Sequence, residues 1–217
     1  MLLFLVLACA DPAADKPKAE LLPPSAPVQP VAAPAAPIQN PAAPAATIAP
    51  ANLRSVALSG TIGFVGAKVT KSHEGRFNTW NGEAQLDADK LVGLRFTVQT
   101  GSVQTDSPKL DGHLIAEDFF NSAAMPEATF VSSAITAGAA ADAGLPGATH
   151  TVEGELTLHG VKKQLRFPVV IEQTPAGIKA RTEFSINRKD FGIVYPGRPD
   201  DLIREDVLLK VDIASAS

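Results

Sequence analysis

The chain has one cysteine, Cys9, in 217 residues, which rules out an intramolecular disulfide framework and any zinc cluster built on cysteines. It has no surplus of charge: 19 Lys and Arg stand against 23 Asp and Glu, with no basic tract. That balance excludes nucleic acid as a partner. No apolar run approaches the roughly 18 residues of a membrane-crossing helix. There is no G-x-S-x-G elbow, Walker loop, dinucleotide fingerprint, HxH or HExxH pair. The four histidines, His73, His113, His150 and His159, are scattered without metal-ligand spacing. No catalytic residue, metal site or cofactor is therefore expected, and the chain does not read as an enzyme.

What is present begins with Met1–Ala8, an apolar octet running into Cys9. It reads as the end of a secretory signal with a bacterial lipobox, Val6-Leu7-Ala8-Cys9, although no Lys or Arg precedes it and Leu7 is large for its position. The expectation is that Met1 is not the true start or that the signal is atypical. Cys9 is the expected lipidation site, with an incidental cysteine behind an ordinary signal as the alternative. Ala10 behind it favours the outer membrane and a periplasmic location. From residue 9 to 52 the composition is Ala/Pro-rich, with eleven of the eighteen prolines at or before Pro50. Proline removes donors and fixes φ, and no periodic apolar face survives, so the segment reads as a disordered tether.

Residues 53–217 read as one domain dominated by strands. The clearest stretch is Thr151–Ile171. With His159-Gly160 in a two-residue turn, Leu158 pairs with Val161, Leu156 with Lys163, Gly154 with Leu165 and Val152 with Phe167. The opposite face sets Thr157 against Lys162, Glu155 against Gln164 and Glu153 against Arg166. A slip of one residue would turn Glu153 and Glu155 to the apolar side, so the pattern specifies its own register. Further strands are predicted at 59–69, 73–86, 91–98, 128–136, 177–186 and 206–213. A short helix is predicted over 107–120, capped by Asp106 or Ser107 with Pro108 at its first position. Residues 138–147 form a small-residue insertion, read as a mobile loop. Eight strands, one short helix and local turns point to an all-β, antiparallel barrel.

Six stretches in order carry a resemblance. They are H-x-G-x-F at His73–Phe77, L-D-G-H-L…D-F-F at Leu110–Phe120, P-x-A-T-F at Pro126–Phe130, G-x-L-T-L-H-G-V at Gly154–Val161, F-S-I-N-R-K-D-F-G-I at Phe184–Ile193 and Y-P-G-R-P-D-D-L-I at Tyr195–Ile203. Together they resemble the YceI-like family of lipid- and polyisoprenoid-binding proteins. The resemblance implies an eight-stranded lipocalin-like barrel whose lumen holds a long apolar chain, such as a polyprenyl tail or a quinone. It also implies a secreted or periplasmic protein, often a homodimer, that does no chemistry.

On that reading the inward members of each period-2 set are the lipid-binding candidates. They are Ile62, Phe64, Leu94, Phe96, Phe130, Val152, Leu156, Leu165, Phe167, Val169, Phe184, Ile186, Leu209 and Val211. Gly66, Gly154 and Ala180 fall in register with them and would leave room. Arg188 and Asp190 are candidates for a polar rim around a headgroup, and Asp200 or Asp201 for the cap of a short turn at Leu202-Ile203. Two other readings stay open: a closed barrel without ligand, filled by Phe64, Phe96, Phe130 and Phe167, and an enzyme acting on a lipid or quinone.

Overall fold

The structure is a computed structural model that describes residues 11–23, 53–138, 144–174 and 177–215. The signal-like octet, Cys9, residues 24–52 of the tether and the middle of the 138–147 insertion lie outside the described residues.

The elements in chain order are β1 (Glu20–Leu22), β2 (Leu53–Ala67), β3 (Ser72–Phe77), β4 (Trp80–Asp87), β5 (Lys90–Gln99), β6 (Val103–Thr105), α1 (Pro108–Leu114), β7 (Glu127–Ala137), β8 (His150–Leu158), β9 (Val161–Thr174), β10 (Gly177–Asn187), β11 (Gly197–Arg198), β12 (Asp201–Leu202) and β13 (Asp206–Ser215). The main sheet runs β13-β10-β9-β8-β7-β5-β4-β2, and β13 pairs back onto β2. Eight antiparallel strands thus close on themselves, which leaves the barrel without a free edge. β2 is long enough to serve two partners, β4 along residues 53–58 and β3 along 63–67. β3 in turn pairs β6, extending the wall beyond the barrel at one end.

The Thr151–Ile171 hairpin has the register read from its alternation, from Leu158↔Val161 through Val152↔Phe167. Its turn residues His159 and Gly160 both take positive φ, 50° and 73°, as the twist-matched two-residue turn requires. Helix α1 starts at Pro108 behind an extended Ser107. The Ser107 hydroxyl accepts no capping hydrogen bond from the helix; Asp111 instead accepts from the backbone N–H and hydroxyl of Thr105, tying the helix to β6. Asp201 does not cap a turn at Leu202-Ile203. It sits in the two-residue β11–β12 ladder and accepts from Lys68 and from Thr70, bracing the 68–71 loop.

Residues 11–23, which composition assigns to the tether, lie on the barrel wall. Ala19 is buried in the same cluster as Leu165, Phe167 and Phe184. β1 pairs β9 through Glu20↔Arg166, Leu21↔Leu165 and Leu22↔Gln164. This attachment uses backbone hydrogen bonds, ion pairs and two small side chains, none of which requires a periodic apolar face.

Candidate functional site

The alternation that builds each strand also lines a lumen. Two cavities occupy it: one of about 510 Å³ at the end covered by α1, and one of about 130 Å³ below it. Ile62, Val98, Ala128, Leu156 and Leu209 line both, so the cavities meet at that belt. Every one of the fourteen inward candidates lines at least one. Phe64 and Ile186 face the mouth cavity, Ile62, Leu156 and Leu209 face both, and the other nine face the lower cavity.

The width of the lumen depends on where its aromatic rings go. Phe64 lies opposite Gly75, and a β-carbon on Gly75 would collide with its ring. Phe96 lies opposite Gly82 in the same way, 2.8 Å from where that β-carbon would stand. Phe130 covers Gly154, so the room expected at Gly154 is already taken by that ring. Three phenylalanines are thus laid flat against the wall over glycines instead of crossing the lumen. Gly66 behaves as expected: it lines the mouth cavity and open space lies where its side chain would be. In the lower cavity Phe167 and Phe184 stack at 4.1 Å between centroids and narrow the bore. Ala180 also lines this part.

The mouth combines an apolar funnel with a polar edge. Leu110, Leu114, Phe119 and Phe120 reach in from α1 and the turn after it, and Phe64, Phe77 and Phe120 pack ring to ring at 5.6 to 6.3 Å. His113 stands edge-on to both Phe119 and Tyr195. Lys68, His73, Ser107, Lys109, His113 and Arg188 are its polar lining residues. Most of these are engaged: Lys68 pairs with Asp201, and His73 donates from Nδ1 to Asp106 at 2.5 Å. The His73 hydrogen bond holds the Asp106 carboxyl below the usual range, and that from Lys68, helped by Thr70, does the same for Asp201.

Arg188 and Asp190 fall differently from one another. Arg188 is 4% exposed and lines the mouth cavity, yet its guanidinium donates to the carbonyls of Arg204, Ile193 and Ile203 at 3.0, 2.6 and 3.2 Å. It therefore fixes the 193–204 loop, and burial pulls its pKa down from the ordinary arginine value. Asp190 sits in a 3₁₀ turn over Arg188–Phe191 and does not line the cavity. Lys109 and the Phe119–His113–Tyr195 cluster leave no signal in the sequence. Lys109 and His113 stand on α1, and Phe119 and Tyr195 outside the strands, where no strand period marks an inward face.

The histidines stay apart: His150 meets the Thr149 hydroxyl and His159 donates to the carbonyl of Phe191. Among the described residues no group of three His, Cys, Asp or Glu side chains could hold a metal ion. No helix among them is long and apolar enough to cross a membrane.

Comparison with known proteins matches this architecture. A curated UPF0312 protein of Pseudomonas syringae pv. syringae is 32% identical over 147 residues, covering 61% of this chain and 70% of its own length. A UPF0312 protein of Shewanella denitrificans is 35% identical over 133 residues, 55% and 63% of the two chains. Among solved structures, Burkholderia cenocepacia BcnA superposes with a TM-score of 0.62 at 22% identity, over 72% of this chain and 96% of that one. A polyisoprenoid-binding domain from Saccharophagus degradans, implicated in plant cell wall breakdown, superposes with a TM-score of 0.57 at 20% identity, over 76% and 100%. These likenesses carry the barrel fold. The family model for the YceI-like domain matches residues 56–215, nearly the whole barrel, and the chain belongs to the YceI-like family.

Proposed function

We propose that the barrel is a carrier for a long-chain lipid of isoprenoid type, a polyprenyl or quinone molecule, held tail-down in the lumen. The observation that carries this reading is the pair of joined cavities, whose lining is almost entirely apolar below the mouth. Only Thr129 and Thr182 bring hydroxyls to the lower part, and the Thr182 hydroxyl is spent on the carbonyl of Pro168 at 2.7 Å. A mouth cavity of about 510 Å³ falls within the range of small-molecule sites. Burying each methylene is worth about 0.8 kcal/mol, so a linear chain gains affinity with few polar contacts. Lys109 and His113 stand where the polar end of such a ligand would emerge.

The likeness to a polyisoprenoid-binding domain supports the class of ligand. Cys9, if lipidated, would anchor the barrel to the bacterial outer membrane from the periplasmic side, and a homodimer fits the same setting. We assign no chemistry to the barrel.

The test is native mass spectrometry with lipid extraction on the full chain purified from a bacterial host. A co-purifying isoprenoid mass, lost on Gly66→Phe in a protein that still folds, establishes the carrier. An apo mass that gains nothing from added farnesol or a short-chain quinone overturns it in favour of a closed, ligand-free barrel. The Phe167–Phe184 stack is the feature that favours that second reading.

A further inference from the structure

The wall of the barrel has a seam. β9 and β10 pair only from Thr174↔Gly177 to Val170↔Arg181. Two residues before Val170, β9 brings Pro168, which has no N–H to offer its neighbour. There the Thr182 hydroxyl takes the Pro168 carbonyl, and the backbone ladder stops. Below that point the two strands admit a third. Residues 17–22 lie between them, antiparallel to β9 through Glu20↔Arg166 and parallel to β10 at Lys18↔Ser185. The Ala19 N–H donates to the Ser185 carbonyl and the Ser185 N–H to the Pro17 carbonyl, both at 2.8 Å.

We propose that this seam is a strand-addition site for an extended peptide, filled in this chain by its own residues 17–22, and that the occupant is a removable piece of the wall of the lower cavity. Three observations support removal. The inserted strand joins the rest of the barrel in sequence only through residues 24–52, twenty-nine in all. The strand and the residues just before it are fastened by side chains chiefly through ion pairs near the surface: Asp11 with Arg204, Lys16 with Glu183, Lys18 with Asp206 and Glu20 with Arg166. Such pairs weaken with salt. What it buries is small, the methyl groups of Ala13 and Ala19. Recognition of this kind takes main-chain hydrogen bonds for affinity and alternate side-chain pockets for specificity. Here the inward pocket admits only a methyl group, at Ala19. Leu165, Phe167, Thr182 and Phe184 flank the seam and line the lower cavity, so an empty seam opens the lumen sideways, away from the mouth.

The experiment is hydrogen exchange by mass spectrometry on the full chain and on Ala19→Pro, which removes the donor to Ser185. Amides in 161–168 and 182–187 are expected to exchange at least tenfold faster, with β4, β5 and β7 unchanged. An excess of synthetic peptide of residues 11–23 should restore protection. Unchanged exchange at the seam, or a general acceleration that the peptide does not reverse, overturns the site. Should Ala19→Pro not fold, the wild-type chain in low and high sodium chloride decides: salt must speed the seam selectively, and a salt-blind seam overturns the proposal. The wall is tested by placing Thr182→Cys in both backgrounds and locating N-ethylmaleimide by mass. Labelling should be at least tenfold faster with Ala19→Pro, or with wild-type residues 17–22 in high salt, and equal rates remove the lateral opening.

Discussion

The two halves of the lumen are enclosed by the same eight strands and differ about fourfold in free volume, 510 against 130 Å³. The mouth half is edged by loops, α1 and charged pairs; of the three rings laid over glycine, Phe64 lies here and Phe96 and Phe130 line the lower half. The lower half is closed by Val152, Leu165 and Ile213, each no more than 3% exposed, and by the Phe167–Phe184 stack. Barrel closure sets how many strands enclose the space; what stands across from each ring decides how much of it stays open. The lower half behaves as a core that bears stability, and the mouth half as a site that has given up packing for room.

The sharpest way to break that contrast is Leu165→Ala. In the tightly packed lower half it should cost about 2–5 kcal/mol of unfolding free energy, read by denaturant titration. A loss below about 1 kcal/mol would mean that the lower half is as open as the mouth. Next in size is Arg188→Met, which strands the carbonyls of Ile193, Ile203 and Arg204 without their donor. Each lost charged hydrogen bond is worth about 1.5–3 kcal/mol, and the 193–204 loop should gain hydrogen exchange before the rest of the barrel does. Arg188→Lys should not rescue it, because a point charge cannot serve three divergent acceptors. Rescue by lysine would restore the headgroup role that the geometry assigns elsewhere.

A glycine pair sharpens the comparison within the mouth itself. Gly75→Ala forces the Phe64 ring off the wall toward Phe77 and Phe120, an overpacking change that should cost about 1–3 kcal/mol. Gly66→Leu meets open space and should leave the melting temperature nearly unchanged while filling the mouth cavity. Equal destabilisation by the two, in thermal unfolding, would contradict the ring-over-glycine account.

Much of this architecture is legible in the sequence. The 151–171 hairpin announces its register because charge and apolarity alternate on opposite faces, and the inward residues of five other strand segments follow from the same period. The seam was less visible. Pro168 sits inside an apolar run, L-R-F-P-V-V-I, where alternation argues for an unbroken strand and only the missing N–H argues against one. Residues 11–23 carry no periodic face, so their place on the wall rests on backbone partners and charges contributed from residues 164 to 206, which local pattern cannot supply. The Phe64–Gly75 and Phe96–Gly82 pairs were hidden for a related reason: each glycine reads as vacant until its cross-strand neighbour is known. Arg188 looked like a rim charge because sequence shows its charge and not the three carbonyls that surround it.

The smallest expected effect is also confined to one half. Asp106, Asp201 and Glu205 all lie at the mouth end and all have pKa values below their ordinary ones. The causes are hydrogen bonds from His73, from Lys68 and from Lys189 respectively. A carboxylate with a depressed folded value binds its proton more readily in the unfolded chain, so its contribution is complete above the ordinary values of 3.8 and 4.5. That contribution fades as pH falls through the lower folded values. Asp106 and Glu205 are exposed and screened, and Asp201 is half-buried, so the fading should be shallow. It should appear as faster hydrogen exchange, after correction for the intrinsic pH effect, in residues 68–77 and 197–206 as pH drops from about 6 to about 3. The lower cavity has no carboxylate in its lining and should show no such change. An acid response spread evenly over both halves would mean that the charged rim and the apolar core are one cooperative unit, and that the mouth does not loosen independently.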